Sequence, residues 1–469
     1  MAFPYCRFYP ETMKTKQIFL TALILTAVTL SAAAQDGARQ SQAETSQTLN
    51  VDRAVQLALD NNLSLKRNAL ELGTKKRTLD RSWNSLLPTL SVSAMVSHPT
   101  SVTGDILPKQ TVSPDGKPQD RNVWTPGFSM SAGLTLSASV IENIKKAKAD
   151  YETGILSYEA AQQELELQVR KLFYQMLLLD ANCKLAAQNF SSAQARYEQT
   201  AALARVGQVP RLDELSAQVD MENLRPAVIN AEILCENAYD SFKAILGIPE
   251  NTVIVLEGEL GAGNFSISDT KSNGILAAND GIKTESFETS RLLTSIRSME
   301  AQRNSIRNSA YIPNLRLSWT SAPQYNIQNE YWNDSGSFSI SLGMNIDNFF
   351  PWSNTRTQIQ MLNDNISAAE IQLTETLRNR ENRINQNIRT VERILESLEA
   401  MNLNVKLAQS TYEMTEDAYK KGAADYQRLR GAGDSLEQAN NRLLQEQYNL
   451  VSALLDLEKE LNIPFGTLF

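Results

Sequence analysis

The chain has 469 residues, 42% apolar and 21% charged, with a formal net charge of −8 at pH 7. That length accommodates two or three ordinary domains, the apolar content is that of a folded protein, and the acidic balance argues against nucleic acid as a partner. One histidine and three cysteines leave little material for acid–base, nucleophilic or zinc chemistry.

Met13-Lys14-Thr15-Lys16 is a short basic start, and Ile18 to Leu30 is an apolar run too short to span a bilayer comfortably. Ser31-Ala32-Ala33-Ala34 then offers a small-residue cleavage site before Gln35. Residues 1–34 are expected to be a secretory signal peptide, with translation starting at Met13 and no lipid-anchoring cysteine after the site. Its removal leaves 42 basic against 52 acidic groups, a net charge near −10. Beyond it no run of about 18 apolar residues occurs, which excludes a transmembrane helix. An exported chain of this kind is secreted, periplasmic, or a β-barrel of an outer membrane.

Residues 35–48 are small and polar, and are expected as a flexible tail. From Val51 the pattern is helical, with Ala54, Val55, Ala58, Leu59, Leu63, Leu65, Leu70 and Leu72 on one broad face. Asn61-Asn62 marks a bend, and the helix ends near Leu87 because Pro88 disfavours a helical residue before it. A β-hairpin is predicted over 89–138. Leu90, Val92, Ala94 and Val96 alternate with Ser91, Ser93, Met95 and Ser97, and Phe128, Met130, Ala132, Leu134 and Leu136 with Ser129, Ser131, Gly133, Thr135 and Ser137. A Pro- and Gly-rich loop joins the two strands.

From about Ile141 to Val206 a heptad seam runs through Leu165, Val169, Leu172, Met176, Leu179, Cys183, Ala186, Phe190, Ala193 and Tyr197. Roughly 65 residues at about 1.5 Å each make a rod near 100 Å. Gly207 caps it, and a return helix carries Leu224, Val228, Ala231, Cys235, Ala238, Phe242 and Ile245. Residues 250–283, rich in Gly and Ser, read as a connector containing one short apolar run.

The plan then repeats over 284–465, after a first copy over 49–249. A helix stops before Ile312-Pro313, a hairpin is predicted over 314–347, and a second rod is seamed by Ile384, Ile388, Val391, Leu395, Leu398 and Val405. Gly422 turns it, and residues 466–469 form a short tail. Tyr197 to Pro249 aligns with Tyr412 to Pro464 at an offset of 215 without a gap. The chain is therefore a duplication, to be read in halves.

Each half supplies two strands of about nine residues, with bulk on one face and Ser, Thr, Gly and Asn on the other. A small polar face almost free of charge suits a water-filled lumen, with the bulky face in lipid. Trp124, Phe128, Trp319, Tyr325, Tyr331, Trp332 and Phe338 gather near the loop ends, and Phe349, Phe350 and Trp352 at the opposite ends. Four strands cannot close around a pore, and open edges in lipid cost several kcal/mol per unpaired group. Three copies would give about twelve strands, enough for a channel. Cys183 and Cys235 fall at similar heights on the two arms of one hairpin. Two readings stay open: a pair of buried thiols, or a disulfide formed in an oxidising compartment.

In this order the residues resemble the TolC-like outer-membrane efflux proteins. The opening Leu49-Asn50-Val51-Asp52-Arg53-Ala54-Val55-Gln56-Leu57-Ala58-Leu59-Asp60-Asn61-Asn62 is similar to the family's first helix, which usually continues with proline where this chain has Leu63. Leu87-Pro88 and Ile312-Pro313 resemble its helix-to-strand junctions. Val206-Gly207 and Lys421-Gly422 resemble its hairpin tips.

The resemblance covers about 49–465. It implies a mainly α fold with β, in which duplicated long helical hairpins form a trimeric α-barrel tunnel topped by a shared 12-stranded transmembrane β-barrel, four strands per chain. It also implies a homotrimer in a Gram-negative outer membrane, meeting a periplasmic adaptor (membrane fusion) protein and an inner-membrane pump at Val206, Gly207, Lys421 and Gly422. The role implied is passive exit in a tripartite efflux or type I secretion system. Tyr419 matches a gate tyrosine of the family and Asp213 its acidic partner, so the resemblance implies a Tyr419–Asp213 bond across neighbouring hairpins. The acidic ring usual after the second glycine is absent, because Arg428 and Gly431 stand there.

No catalytic constellation or cofactor motif is found. His98 lies in the first loop without a partner, and Gly431-Ala432-Gly433 is not a phosphate loop. The competing function is a periplasmic coiled-coil scaffold or adhesin without a pore.

Overall fold

The computed structural model describes residues 47–98, 110–112, 118–120, 124–249, 251–258, 260, 286–326 and 331–468. The expected signal peptide, most of the polar tail and most of the connector lie outside them. The chain divides into two compact units. In the smaller, strand β1 (Gln47–Leu49) runs parallel to β6 (Ile254–Leu256), with Leu49 opposite Leu256. β1 thus begins inside the stretch expected to be a flexible tail. The apolar run Val253-Ile254-Val255-Leu256 offers a strand edge, and the backbone groups of β1 find partners there.

The larger unit holds the rest. Its first helix, α1 (Val51–Asn61), is capped by the Asn50 side chain, whose Oδ1 accepts from Arg53 N at 2.8 Å. The expected bend is a full break. Asn62 leaves the helical region at ψ 122 and starts α2 (Leu63–Arg81), its Oδ1 accepting from Ser64 N and Leu65 N. Its Nδ2 donates to Ile245 O at 3.3 Å. The break resets the helical phase, so the single apolar face expected over this stretch is not realised. Ala54, Val55, Ala58 and Leu65 are buried, whereas Leu63 is 81% and Leu70 70% exposed.

The duplication is exact in the lengths of the hairpin helices. α3 (Ser139–Arg205) and α6 (Asn354–Lys420) have 67 residues each, while α4 (Arg211–Leu246) and α7 (Tyr426–Leu461) have 36 each. At about 1.5 Å per residue the long pair reach about 100 Å and the short pair about 54 Å. α5 (Phe287–Tyr311) is the second-repeat counterpart of α1 and α2, and it is unbroken.

The helix ends also repeat. Gly247 N and Ile248 N bond Ala244 O and Lys243 O, and Asn462 N and Ile463 N bond Lys459 O and Glu458 O. Both pairs form the glycine-type helix stop, with φ +66 at Gly247 and φ +55 at Asn462. Asparagine suffices at 462. At 247 glycine is required twice over, since a Cβ there would lie 2.8 Å from the Asn61 Cβ.

The apolar core joins α3, α6 and α7 through Leu167, Ile384, Val391, Ile394, Leu454 and Leu461. Buried large apolar side chains of this kind contribute about 1.5–3 kcal/mol each. Glu458 is fully buried beside this core and accepts from Gly466 N at 2.9 Å and Leu468 N at 2.7 Å, which fastens the C-terminal tail. Burial raises its pKa above the usual carboxylate value against the lowering effect of those bonds.

Each half contributes two main strands to one antiparallel sheet. β2 (Thr89–Ser97) pairs with β5 (Thr125–Leu136), β5 with β7 (Asn314–Ser321), and β7 with β10 (Ser337–Gly343). The halves therefore meet in the middle of the sheet, at β5 and β7. Short β8 (Gln324–Asn326) and β9 (Tyr331–Asn333) extend the loop of the second hairpin. β3 (Gln110–Val112) and β4 (Pro118–Asp120) make a separate ribbon in the first. Among the described residues β2 and β10 have a partner on one side only, apart from these local extensions.

Candidate functional site

The sheet divides its two faces as the alternation predicts. Register places Ser91 against Ser131, Ser93 against Ser129 and Ser318 against Ser339, and the hydroxyl oxygens of each pair lie 2.6 to 2.7 Å apart. Thr89 Oγ1 donates to Gly133 O at 3.0 Å on the same face. These pairs zip the polar face with small, uncharged groups. The other face presents Leu90, Val92, Phe338, Ile340 and Leu342, all large and exposed in the single chain. At the far end, after β10, Phe350 and Trp352 stack in parallel at 4.9 Å and are also exposed. Exposed bulk of this extent marks a surface made for something other than water.

The second feature is the hairpin tips. α3 stops at Val206 and Gly207, where Gly207 N and Gln208 N bond Ala204 O and Leu203 O. α6 stops at Lys421 and Gly422 with the matching pair, Gly422 N to Tyr419 O and Ala423 N to Ala418 O. The two turn glycines have φ +75 and +73, and Val206, Gly207, Lys421 and Gly422 are all exposed. After the turns, α4 begins behind Pro210 and α7 behind Asp425, whose Oδ1 accepts from Arg428 N at 2.9 Å.

Within the chain, the structure does not bring Tyr419 to Asp213. Tyr419 is only 6% exposed, and its hydroxyl lies 3.2 Å from Thr200 Oγ1 on α3. Asp213 sits in the first turn of α4, where its charge favours the helix N-terminus, and its carboxylate has no partner among the described residues. The tyrosine–carboxylate tie between the hairpins is a different one. Tyr426 Oη donates to Asp220 Oδ2 at 2.9 Å, and Arg430 Nη1 lies 3.2 Å from Asp220 Oδ1. Arg196 Nη1 donates to Tyr412 Oη at 3.3 Å beside them.

Tyr419, Tyr426, Leu429 and Ala217 form the apolar packing around these bonds, the two tyrosine rings meeting edge to face at 6.1 Å. Burial first, and then the bond to Asp220, raises the Tyr426 hydroxyl well above the usual tyrosine value, so it remains a donor at neutral pH. Arg428 is exposed and its side chain is unpaired among the described residues. Behind this clasp a polar cavity of about 510 Å³ opens between the hairpins, lined by Asn189, Arg196, Asp220, Tyr412, Arg430 and Glu437. Asn189 Nδ2 is buried there without a protein partner, a position suited to water.

Sequence reasoning missed Thr200, Asp220, Tyr426 and Arg430. The repeat pointed to Tyr412, as the counterpart of Tyr197, but nothing in spacing pairs α4 with α7. His98 packs its ring on Trp124 at 4.7 Å, and no group of three metal-ligating side chains occurs among the described residues.

Cys183 on α3 and Cys235 on α4 are free, half-buried thiols, and Cys183 Sγ donates to Ala231 O at 3.1 Å. The structure holds the pair unbridged, and thiol labelling distinguishes the two readings. Burial raises both thiols, Cys235 to about 11, which keeps the reactive thiolate scarce. Under denaturing, non-reducing conditions two thiols per processed chain, Cys183 and Cys235, should react. In the native protein alkylation of Cys235 at pH 8 should be about a hundredfold slower than for a free thiol and should keep rising past pH 10. Rates that level off near pH 8.5, or no thiols after denaturation, would contradict this.

The sequence profile of the outer membrane efflux protein family matches residues 54–248 and 294–462. Outer membrane protein TolC of Vibrio cholerae serotype O1 is 22% identical over 356 residues, 74% of this chain and 78% of that one. The crystal structure of the outer membrane protein VceC from Vibrio cholerae superposes with a TM-score of 0.70 at 13% identity, over 88% of this chain and 96% of VceC. That of the Campylobacter jejuni CmeC outer membrane channel gives 0.68 at 17% identity, over 90% of each chain. The chain therefore belongs to the outer membrane efflux protein family, and it is an outer-membrane efflux channel component whose helices extend into the periplasm.

Proposed function

We propose that three copies of this chain close a twelve-stranded barrel and a helical tunnel, and that cargo leaves through them passively. The cargo is handed over by an inner-membrane pump through a periplasmic adaptor, in multidrug efflux or type I secretion. The observation that carries this reading is the sheet: four strands, β2 and β10 each open on one side, one face of paired serines and the other of exposed apolar bulk. Closure around a three-fold axis would pair β10 of one copy with β2 of the next, enclose the hydroxyl face around water and leave the apolar face in lipid. Leu212, Leu215 and Val219 on α4 and Leu403, Leu407 and Met414 on α6 are exposed in one chain and would be covered by neighbouring copies.

The exposed tips at Val206, Gly207, Lys421 and Gly422 are the surface offered to the adaptor. The gate lies beside them. In each chain the Tyr426–Asp220–Arg430 clasp holds the second hairpin against the first, and parting the hairpins widens the tunnel mouth. Tyr419, Asp213 and Arg428 stand at the same constriction, where Asp213 and Arg428 are available to a neighbouring copy. The domain boundaries read from the duplication, 49–249 and 284–465, are then the two pseudo-equivalent staves that each chain supplies.

Purification tests the reading directly. The protein should fractionate with the outer membrane, require detergent, run as a heat-labile trimer and form ion-conducting channels in planar bilayers. A water-soluble monomer without conductance would overturn it.

A further inference from the structure

We infer that Arg316 makes this channel an anion-preferring outlet, so that the cargo it passes most readily carries net negative charge. The inference deepens the pore reading and rests on it. Across β2, β5, β7 and β10 the only ionisable side chain is Arg316. Register sets it between Thr135 on β5 and Ser341 on β10. Two residues along the same strand face, Ser318 bonds Ser339, so Arg316 belongs to the hydroxyl face and not to the apolar one.

The guanidinium is exposed and has no hydrogen bond or ion pair among the described residues. The nearest positions on its face, Thr135, Ser318, Ser339 and Ser341, are neutral. Among the described residues, Asp334 and Asp347 adjoin the sheet from beyond strand ends. Asp334 is in the loop of the second hairpin, where it accepts from Ser321 Oγ at 3.1 Å, about 17 Å of strand away from Arg316. Asp347 is in the short 3-10 turn after β10.

Three copies would set three uncompensated guanidinium groups in one ring of the barrel wall. A cationic ring in a low-dielectric wall raises the local anion concentration, and arginine rings serve this purpose in anion pores. Screening is about 8 Å at physiological salt, so the field reaches well into the lumen and strengthens on dilution. Arg428 at the tunnel mouth has the same sign, and no acidic residue replaces it at 431.

The test is the reversal potential of full-length trimers in planar bilayers under a potassium chloride gradient. The wild type should favour chloride by about twofold or more, with the preference growing at low salt. Arg316→Ser should bring the ratio to unity or below while conductance persists, and Arg316→Lys should retain it. A cation-preferring wild type, or an unchanged ratio in Arg316→Ser, would overturn the inference and leave the pore reading standing. Absence of any conductance would overturn the pore reading and this inference with it.

Discussion

Trimers carrying Asp220→Ala should conduct far more than wild type in planar bilayers, because this one carboxylate holds both Tyr426 and Arg430. Its side chain is only 12% exposed, so the bonds it accepts are shielded from water. Hydrogen bonds to a charged group contribute about 1.5–3 kcal/mol each, and truncation also leaves the Tyr426 hydroxyl in a buried place without its acceptor. Among the described residues Arg430 would retain Asp434, at 3.8 Å. A shift of about 2 kcal/mol in the balance between closed and open tips changes the ratio of the two roughly 30-fold.

Asp213→Ala is the matched control, since its carboxylate has no partner among the described residues. High conductance in Asp220→Ala with Asp213→Ala near wild type identifies the Tyr426 clasp as the lock. The reverse pattern would assign it to a Tyr419–Asp213 bond between neighbouring copies, as the family resemblance implies.

Val92→Arg should remove the protein from the outer membrane, whereas Ser91→Arg should leave it there. The two positions are adjacent on β2 and point to opposite faces. Val92 is 62% exposed in the single chain and belongs to the apolar face, while Ser91 bonds Ser131 on the other. An arginine facing lipid near the bilayer midplane costs about 2–4 kcal/mol, and a closed trimer pays it at three sites. On the lumen face the same side chain stays in water and forfeits a single hydroxyl pair. The readout is the amount of heat-labile trimer in the outer-membrane fraction. If both variants assembled, or if Ser91→Arg were the damaging one, the assignment of the two faces would be wrong.

Most of the architecture was legible because it depends on local periods. Alternation from Leu90 to Val96, interrupted only at Met95, and from Phe338 to Leu342 specifies strands with unlike faces; the strand expected to continue through Ile346 ends at Gly343, where the chain leaves the sheet for a 3-10 turn. The offset between Tyr197 and Tyr412 specifies a duplication, and equal helix lengths with matching stops at Gly247 and Asn462 follow from it. What escaped was contact between elements far apart in sequence. The phase change at Asn62 hides Leu63 and Leu70 from the face their spacing suggests, because a side-chain cap restarts the helix there. β1 pairs with β6 across some two hundred residues, which no local pattern encodes. The clasp escaped for the same reason: the resemblance points to Tyr419, whose ring packs between the hairpins, and nothing local in the sequence pairs Tyr426 on α7 with Asp220 on α4.

The bare outer margins of β2 and β10 also govern how the molecule must be made. A newly exported chain carries two sticky ends with the same hydrogen-bonding grammar, and nothing in either end counts to three. Sheet curvature is what would let a third copy close the ring; a fourth joining a flatter stack would begin a fibre instead. Biogenesis should therefore hinge on escort and timing, with each subunit kept shielded until the lipid that shapes the ring is at hand.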